Sequence, residues 1–260
     1  YSPRLNLKYT LNESDHLYGL ISHGYSIPTL EETLTPDGLI NNDIKPEIGL
    51  NTEIGFRGMT NNEKWSYGLT AYQMLVKNLL VARRTAADQF IGVNAGGSRH
   101  IGAELDLAYK MFNSGDWRSD FNLAYTYQKF TFTDFVDGEE DYSSNELTGA
   151  IPNQVALGWT GGYKRLSLII KYKFIDSMPM RDDNSNYSDA YSLLDMYTTK
   201  TIAIGVFDIG MSAGVNNVLD TDYASMILVN AGSFGGNAPR YFYPGLPINA
   251  FGRMSIRYNF

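Results

Sequence analysis

No cysteine occurs in the chain, which excludes disulfide bridges and thiolate chemistry in any compartment. No run approaches about 18 consecutive apolar residues; this excludes a membrane-crossing helix but not a membrane-crossing strand, whose lipid signal sits in every second residue. Positive charge is also scarce. The 21 Lys and Arg are scattered among 28 Asp and Glu, for a net charge of −7, so the clustered basic surface needed for phosphates is lacking and no nucleic-acid partner is expected. Only three histidines occur, His16, His23 and His100, too dispersed for a zinc pair with local spacing. The opening "YSPRLNLKYT" lacks the basic start and apolar core of a signal peptide, so an exported protein would carry its leader upstream.

Tyrosine (19) and glycine (25) are abundant and aromatics make up 13%, a composition suited to aromatic belts and many turns. The chain ends "GRMSIRYNF", with Met254, Ile256, Tyr258 and Phe260 at two-residue spacing and Arg253, Ser255, Arg257 and Asn259 between them. A strand with this pattern has one apolar and one strongly polar face. The alternation recurs in "EIGLNTEIGFRG", where Ile48, Leu50, Thr52, Ile54 and Phe56 oppose Glu47, Asn51, Glu53 and Arg57. In "HIGAELDLAYK", Ile101, Ala103, Leu105, Leu107 and Tyr109 oppose His100, Glu104, Asp106 and Lys110. "DFNLAYTYQ", "VALGW" and "FDIGMSAGV" repeat it.

Strands are expected near 3–11, 16–24, 47–58, 65–82, 97–111, 117–131, 152–162, 166–177, 190–203, 207–217 and 249–260. Tight polar links such as "NESD", "TNNEK", "NSGD" and "YKR" alternate with long ones at 25–46, 83–96, 132–151, 178–189 and 218–248. Bacterial transmembrane barrels alternate short periplasmic turns with long extracellular loops in this way. The predicted fold class is therefore all-β, an antiparallel transmembrane β-barrel. A count of about eleven is odd, whereas single-chain bacterial barrels have even numbers, so the chain is expected to be part of something larger whose end strands offer unpaired edges.

Four stretches resemble TonB-dependent receptors, the plugged outer-membrane barrels that import scarce nutrients. "IKPEIGLNTEIGFRG" (44–58) resembles the family's Lys-Pro-Glu strand opening, and "NAGGSRHIGAELDL" (94–107) its Asn-Gly then Gly-x-Glu strand. "AGVNNVLDTDY" (213–223) resembles the penultimate strand leaving the membrane, and the end resembles the aromatic-terminated last strand. "YPGLPINAF" departs from the pattern, with Ile248 where the family often has Arg. The resemblance covers essentially the whole chain and implies the carboxy-terminal half of a barrel of about 22 strands, without the plug domain or the amino-terminal strands. It further implies a bacterial outer-membrane location in the lipid bilayer and energisation by the TonB complex acting through the missing plug. The chain alone would not transport. Met254, Ile256, Tyr258 and Phe260 would face lipid and serve as the assembly signal read by the barrel-assembly machinery through edge-strand addition.

The polar-face residues Glu47, Glu53, Arg57, Glu104 and Asp106 are candidates for holding the plug by charge-assisted hydrogen bonds, or else form a solvated wall. Trp65, Trp117, Phe121, Tyr125, Tyr127, Trp159, Tyr172 and Phe174 read as girdle and lipid-facing residues. Where long loops meet strands, Arg83, Arg84, Arg99, His100, Tyr187, Arg240, Tyr241 and Tyr243 are the ligand-binding candidates, because an anionic iron chelate wants fixed positive charge and aromatic planes. "DDNSNYSD" starts like a calcium loop with Asp182, Asn184 and Asn186, but Tyr187 stands where Gly is required and Leu193 where the bidentate Glu belongs, so no metal site is assigned.

A catalytic reading is weaker still. Ser22 and His23 are adjacent and should point to opposite faces; Ser98 and His100 share a face, but no nucleophile elbow surrounds them. No enzyme activity and no cofactor is assigned. The expected ligand is an iron chelate such as a ferric siderophore, from the resemblance of "SIPTLEETLTPDG" (26–38) to siderophore-receptor relatives. Cobalamin, haem, glycan or peptide import is the alternative within the family, and a self-contained porin or adhesin barrel the alternative outside it.

Overall fold

A computed structural model describes the chain at every residue except 36, 85–89, 138, 234, 235 and 260, with the side chains of 31, 82–84, 90 and 95 also outside the description. The elements are β1 (Arg4–Thr10), β2 (His16–Ser26), α1 (Leu30–Thr33), β3 (Glu47–Met59), β4 (Trp65–Arg84), β5 (Phe90–Ser114) and β6 (Trp117–Asp134). They continue with β7 (Val136–Asp137), β8 (Glu140–Asp141), β9 (Asn153–Tyr163), β10 (Leu166–Ile175), β11 (Tyr191–Ile204), β12 (Phe207–Asn216), β13 (Ala224–Ile227), β14 (Phe242–Pro244) and β15 (Asn249–Tyr258). Eleven strands form one antiparallel sheet in the order β1-β2-β3-β4-β5-β6-β9-β10-β11-β12-β15, while β7–β8 and β13–β14 are small hairpins within loops. The sheet order leaves β1 and β15 at opposite edges, each paired on one side.

Register carries the two faces across every strand. On one face Leu7 pairs with Gly19, Gly19 with Ile54, Ile54 with Ala71, Ala71 with Ala103 and Ala103 with Tyr127. The same face continues through Leu69, Leu105, Tyr125, Val155 and Phe174 and ends in the pairs Met211–Met254, Ile209–Ile256 and Phe207–Tyr258. Among the described residues no second sheet covers it: Ile54 is 63% exposed, Met254 69% and Ile256 63%. A water-soluble domain of this length would bury such a surface in its own core. Here the buried hydrophobic residues among those described are Phe132, Phe135, Ile175, Met178 and Met180, at the long-loop end of β6 and β10 and in the loop that follows.

The short links lie at one end of the sheet. The two-residue turns 115–116, 164–165 and 205–206 take positive φ at Gly115, Lys164 and Gly205, which closes a hairpin without splaying its strands. Just inside that end, on the apolar face, three cross-strand aromatic pairs meet: Trp65–Tyr109 stacked with ring centres 4.1 Å apart, and Trp117–Tyr163 and Phe207–Tyr258 tilted at 4.4 Å and 5.4 Å. Amphipathic rings at this height form an interfacial girdle.

Ten of the eleven expected strands lie within three residues of the observed ones at each end. The exception is β5, which starts at Phe90 rather than near 97, so most of the expected 83–96 loop is a continued β4–β5 ladder with Val81 opposite Val93 and Arg83 opposite Ile91. "VNAGG" falls mostly in the long link expected at 83–96. Instead Asn94 staples neighbouring segments: its amide nitrogen donates to the carbonyls of Asn78 at 2.8 Å and Lys45 at 2.9 Å, and its oxygen accepts the Lys45 N–H at 2.8 Å. Asn78 itself takes φ 55°, offsetting the ladder there. The 26–38 segment contains the single capped turn α1, in which the Glu32 carboxylate accepts both the N–H and the hydroxyl of Thr29; these bonds, backbone first, hold it below the usual carboxylate range. This turn rests on β5 at Gly92, where a Cβ would overlap the Glu32 carbonyl.

Candidate functional site

The register puts Glu47, Glu53, Arg57, Glu104 and Asp106 on the polar face. Glu53 lies opposite Leu20 and Tyr72, Arg57 opposite His16 and Gly68, Glu104 opposite Thr70 and Thr126, and Asp106 opposite Gly68 and Ala124. Three of the five are engaged within the wall. Tyr18 donates its hydroxyl proton to Glu53 Oε1 at 2.8 Å and lies 2.8 Å from the buried Thr70 Oγ1, while the Arg57 guanidinium sits 5.4 Å from its ring centre. Glu47 Oε1 accepts the Leu80 N–H at 2.6 Å. Glu104 and Asp106 remain exposed on this face. Tyr18 was missed as a polar-face residue; its signal was the glycine Gly55 across the ladder, over which its ring lies.

The candidate His100 is also on the polar face, between Met74 and Phe130, with its Nε2 2.8 Å from Ser98 Oγ and its ring 4.3 Å from that of Phe130. Ser98 is only 1% exposed and lies opposite Phe132, while His100 is half-buried, so the serine half of this pair is closed to a solute. Arg99 points to the other face, between Leu75 and Thr131, and does not converge with His100. Ser22 and His23 likewise take opposite faces, next to Asn51 and Leu50. Arg83 and Arg84 end β4 and pair with Ile91 and Phe90; their side chains lie outside the described residues. Met254, Ile256 and Tyr258 line the exposed apolar face of the edge strand, and Phe260 lies outside the described residues.

At the long-loop end three loops are knotted together. The Asp182 carboxylate accepts the Thr148 hydroxyl at 2.5 Å and the Asn230 amide at 3.0 Å, its carbonyl accepts Asn145 Nδ2 at 2.8 Å, and its N–H donates to Asn230 Oδ1 at 3.2 Å. Asn184 clasps Glu146 by two bonds, accepting its N–H at 2.7 Å and donating to its carbonyl at 2.9 Å. Of the side chains with calcium-loop spacing, Asp182 and Asn184 thus direct their oxygens to neighbouring loops. The candidate Tyr187 belongs to the knot, donating to Glu146 Oε2 at 3.0 Å; burial and then this carboxylate raise its hydroxyl above the ordinary tyrosine value. Arg181 pairs with Asp183 at 3.2 Å and is raised chiefly by the side chain of Tyr241, another candidate. Burial opposes the Asp183 charge, but the Ser185 hydroxyl and N–H together with Arg181 outweigh it and hold that carboxyl below the usual range. Arg240 and Tyr243 are exposed nearby in the chain, Tyr243 on β14 opposite Met226.

Asp182→Ala is expected to free the 145–149 and 230 segments. Hydrogen–deuterium exchange should show about 2–3 kcal/mol less protection there, the loss of a charge-accepted pair of bonds, with the sheet unchanged. Asp183→Ala, which touches only its own turn and Arg181, should leave the protection of 145–149 in place.

With this geometry in view, comparison with known proteins is informative. The family described as TonB dependent receptor-like, beta-barrel, matches residues 1–218. Among solved structures, the copper transporter OprC superposes with a TM-score of 0.72 at 20% identity, over 98% of this chain and 38% of its own. The ferric yersiniabactin uptake receptor FyuA from Yersinia pestis gives 0.69 at 18%, over 99% and 37%. The siderophore receptor PiuA from Acinetobacter baumannii gives 0.74 at 16%, over 98% and 35%. At these identities the likeness is one of fold, and the chain spans little more than a third of each of these proteins. No curated protein matches the sequence. An eleven-stranded, two-faced wall with short turns at one end and knotted loops at the other, matched over most of its length by one family, places this chain among the TonB-dependent receptor β-barrels.

Proposed function

We propose that this chain is the carboxy-terminal wall and outer mouth of an outer-membrane receptor that actively imports a scarce nutrient, a ferric siderophore by the resemblance of its 26–38 loop, with energy delivered by TonB through a plug carried elsewhere in the protein. The observation that supports it best is the pair of open edges on a sheet with a continuous apolar face. In a bilayer an unpaired ladder edge leaves its N–H and C=O groups without water, so β1 and β15 must pair with further strands, and a wall of eleven extends to a barrel of about 22. A self-contained porin would need those two strands to pair with each other.

The residues then take the following roles. Glu104 and Asp106, exposed on the lumen wall, are the available partners for the plug, whereas Glu47, Glu53 and Arg57 brace the wall itself. Tyr187, Arg240, Tyr241 and Tyr243, with Arg83 and Arg84 at the tip of the β4–β5 hairpin, form the outer mouth that meets the ligand. Met254, Ile256 and Tyr258, followed by Phe260, present an apolar edge strand to the barrel-assembly machinery. The iron assignment is supported by the likeness of the 26–38 loop to siderophore receptors and by the ferric-siderophore receptors among the similar folds.

Uptake of radioactive iron supplied as defined chelates, in cells with and without the gene, tests the reading. Chelate-dependent, TonB-dependent uptake is expected. Uptake of none of the chelates removes the iron assignment, and steady ion conductance by the purified full-length protein in planar bilayers replaces the receptor with a porin.

A further inference from the structure

None of the residues expected to gather an anion at the outer mouth lines a hollow found there. Between the 176–190 loop and the β13–β14 hairpin lies a hollow of about 260 Å³ whose polar lining includes Asp189 and Asp222, with no Lys, Arg or His among its lining residues. Neither carboxylate has a hydrogen-bond or ion-pair partner among the described residues. Tyr191 and Tyr223 line it beside the two exposed aspartates, their rings 5.2 Å apart and the Tyr223 ring lying over Gly245, and Phe242, 51% exposed, offers the more open ring. At the base, Ser188 is 6% exposed. Its oxygen accepts the Met178 N–H at 3.1 Å, and its own hydroxyl proton has no acceptor among the described residues.

The position suits an incoming solute. Tyr191 pairs with Ile175, Ile175 with Gln154, Gln154 with Thr126 and Thr126 with Glu104, so the hollow opens on the lumen face at the long-loop end. Electron-rich ring faces and carboxylates attract the same partner, a cation, and repel an anion. At about 260 Å³ the hollow is smaller than the roughly 300–1,000 Å³ of a whole-ligand pocket, so it fits one arm of a larger molecule. Two carboxylates alone make a poor metal site, whereas a carboxylate pair beside aromatic faces suits the soft, bulky charge of an organic cation.

We propose that this hollow is a subsite for an organic cation, an ammonium or guanidinium group carried on an arm of the imported solute. The inference deepens the receptor reading and rests on it: the solute is then zwitterionic or cationic at one end, even where the rest of it is an iron chelate.

The probe is choline, with 3,3-dimethyl-1-butanol as its uncharged isostere, titrated calorimetrically into the purified full-length protein. Choline is expected to bind at least about fivefold more tightly than the isostere, the scale of a partly exposed cation–aromatic contact joined to surface ion pairs, and raised salt should weaken choline alone. Asp189→Asn with Asp222→Asn should remove about fivefold to thirtyfold of that binding, while Asp116→Asn, in a turn at the far end, should not change it. Equal binding of the two probes by the unaltered protein overturns the proposal without any variant having to fold, as does choline binding that the double variant retains in full. Failure of the receptor reading would look different: choline would bind as expected while cells carrying the gene took up none of the supplied solutes.

Discussion

Leu105→Arg is expected to cost the protein about 2–4 kcal/mol, the price of a cationic side chain on the lipid face near the bilayer midplane. Leu105 lies on the apolar face between Leu69 and Tyr125. It is four residues above Tyr109, whose ring stacks on Trp65 in the girdle, which is about 10–13 Å along a tilted strand and so near the middle of an apolar band about 25 Å tall. Ala108→Arg, three residues on but facing the lumen beside Ser66 and Asn122, should stay within about 0.5 kcal/mol of the unaltered protein. Urea unfolding of the full-length protein from lipid vesicles, followed by tryptophan fluorescence, measures both. Equal losses at the two positions would mean that the apolar face is covered by protein rather than by hydrocarbon.

The second large effect concerns the lumen wall. Gly55→Val places a branched side chain where the Tyr18 ring now lies across the strand, so the ring must leave. Overpacking of this kind costs about 1–3 kcal/mol. The departing hydroxyl also deprives the Glu53 carboxylate of a donor and strands the buried Thr70 hydroxyl, about 1–3 kcal/mol more. A total of about 2–6 kcal/mol is expected in the same unfolding assay. Tyr18→Phe keeps the ring on the glycine and removes only the hydroxyl, so its cost should be that second contribution alone, about 1–3 kcal/mol. The same fit recurs at Gly102, where a Cβ would strike the Tyr72 ring, which makes glycine under an aromatic a building rule of this wall. If Tyr18→Phe proves as damaging as Gly55→Val, the hydrogen bonds and not the close approach hold this part of the sheet.

The strand count, the two faces and the direction of each link were legible in the residues because a ladder converts period-two alternation directly into sidedness. Ile54, Leu105 and Met254 could be assigned to the apolar face one strand at a time, with no knowledge of their neighbours. The extension of β5 down to Phe90 was not legible, since "VNAGG" carries turn residues whose actual task, the stapling of Lys45 and Asn78 by Asn94, depends on a segment 49 residues away. The loop knot was hidden for the same reason. Asp182 and Asn230 are 48 residues apart and Glu146 and Asn184 are 38, and in the sequence each is only a polar residue in a polar loop.

The ligand candidates show this limit most clearly. Residue type made both Arg99 and His100 candidates, but neighbours on a strand take opposite faces, and the strand sends one outward and sets the other beside Phe130. Asp189, Asp222, Tyr191 and Tyr223 drew no attention in the sequence because three segments must fold back on one another before they share a hollow. By itself the chain of residues determined a two-faced antiparallel wall and the solvent on each side of it, because those follow from local alternation and from the hydrophobic effect acting on every second side chain. Which loop groups meet, which charges are already engaged within the wall and which side chains share the hollow at the mouth were decided only by tertiary structure, because each depends on contacts between residues tens of positions apart that no local pattern encodes.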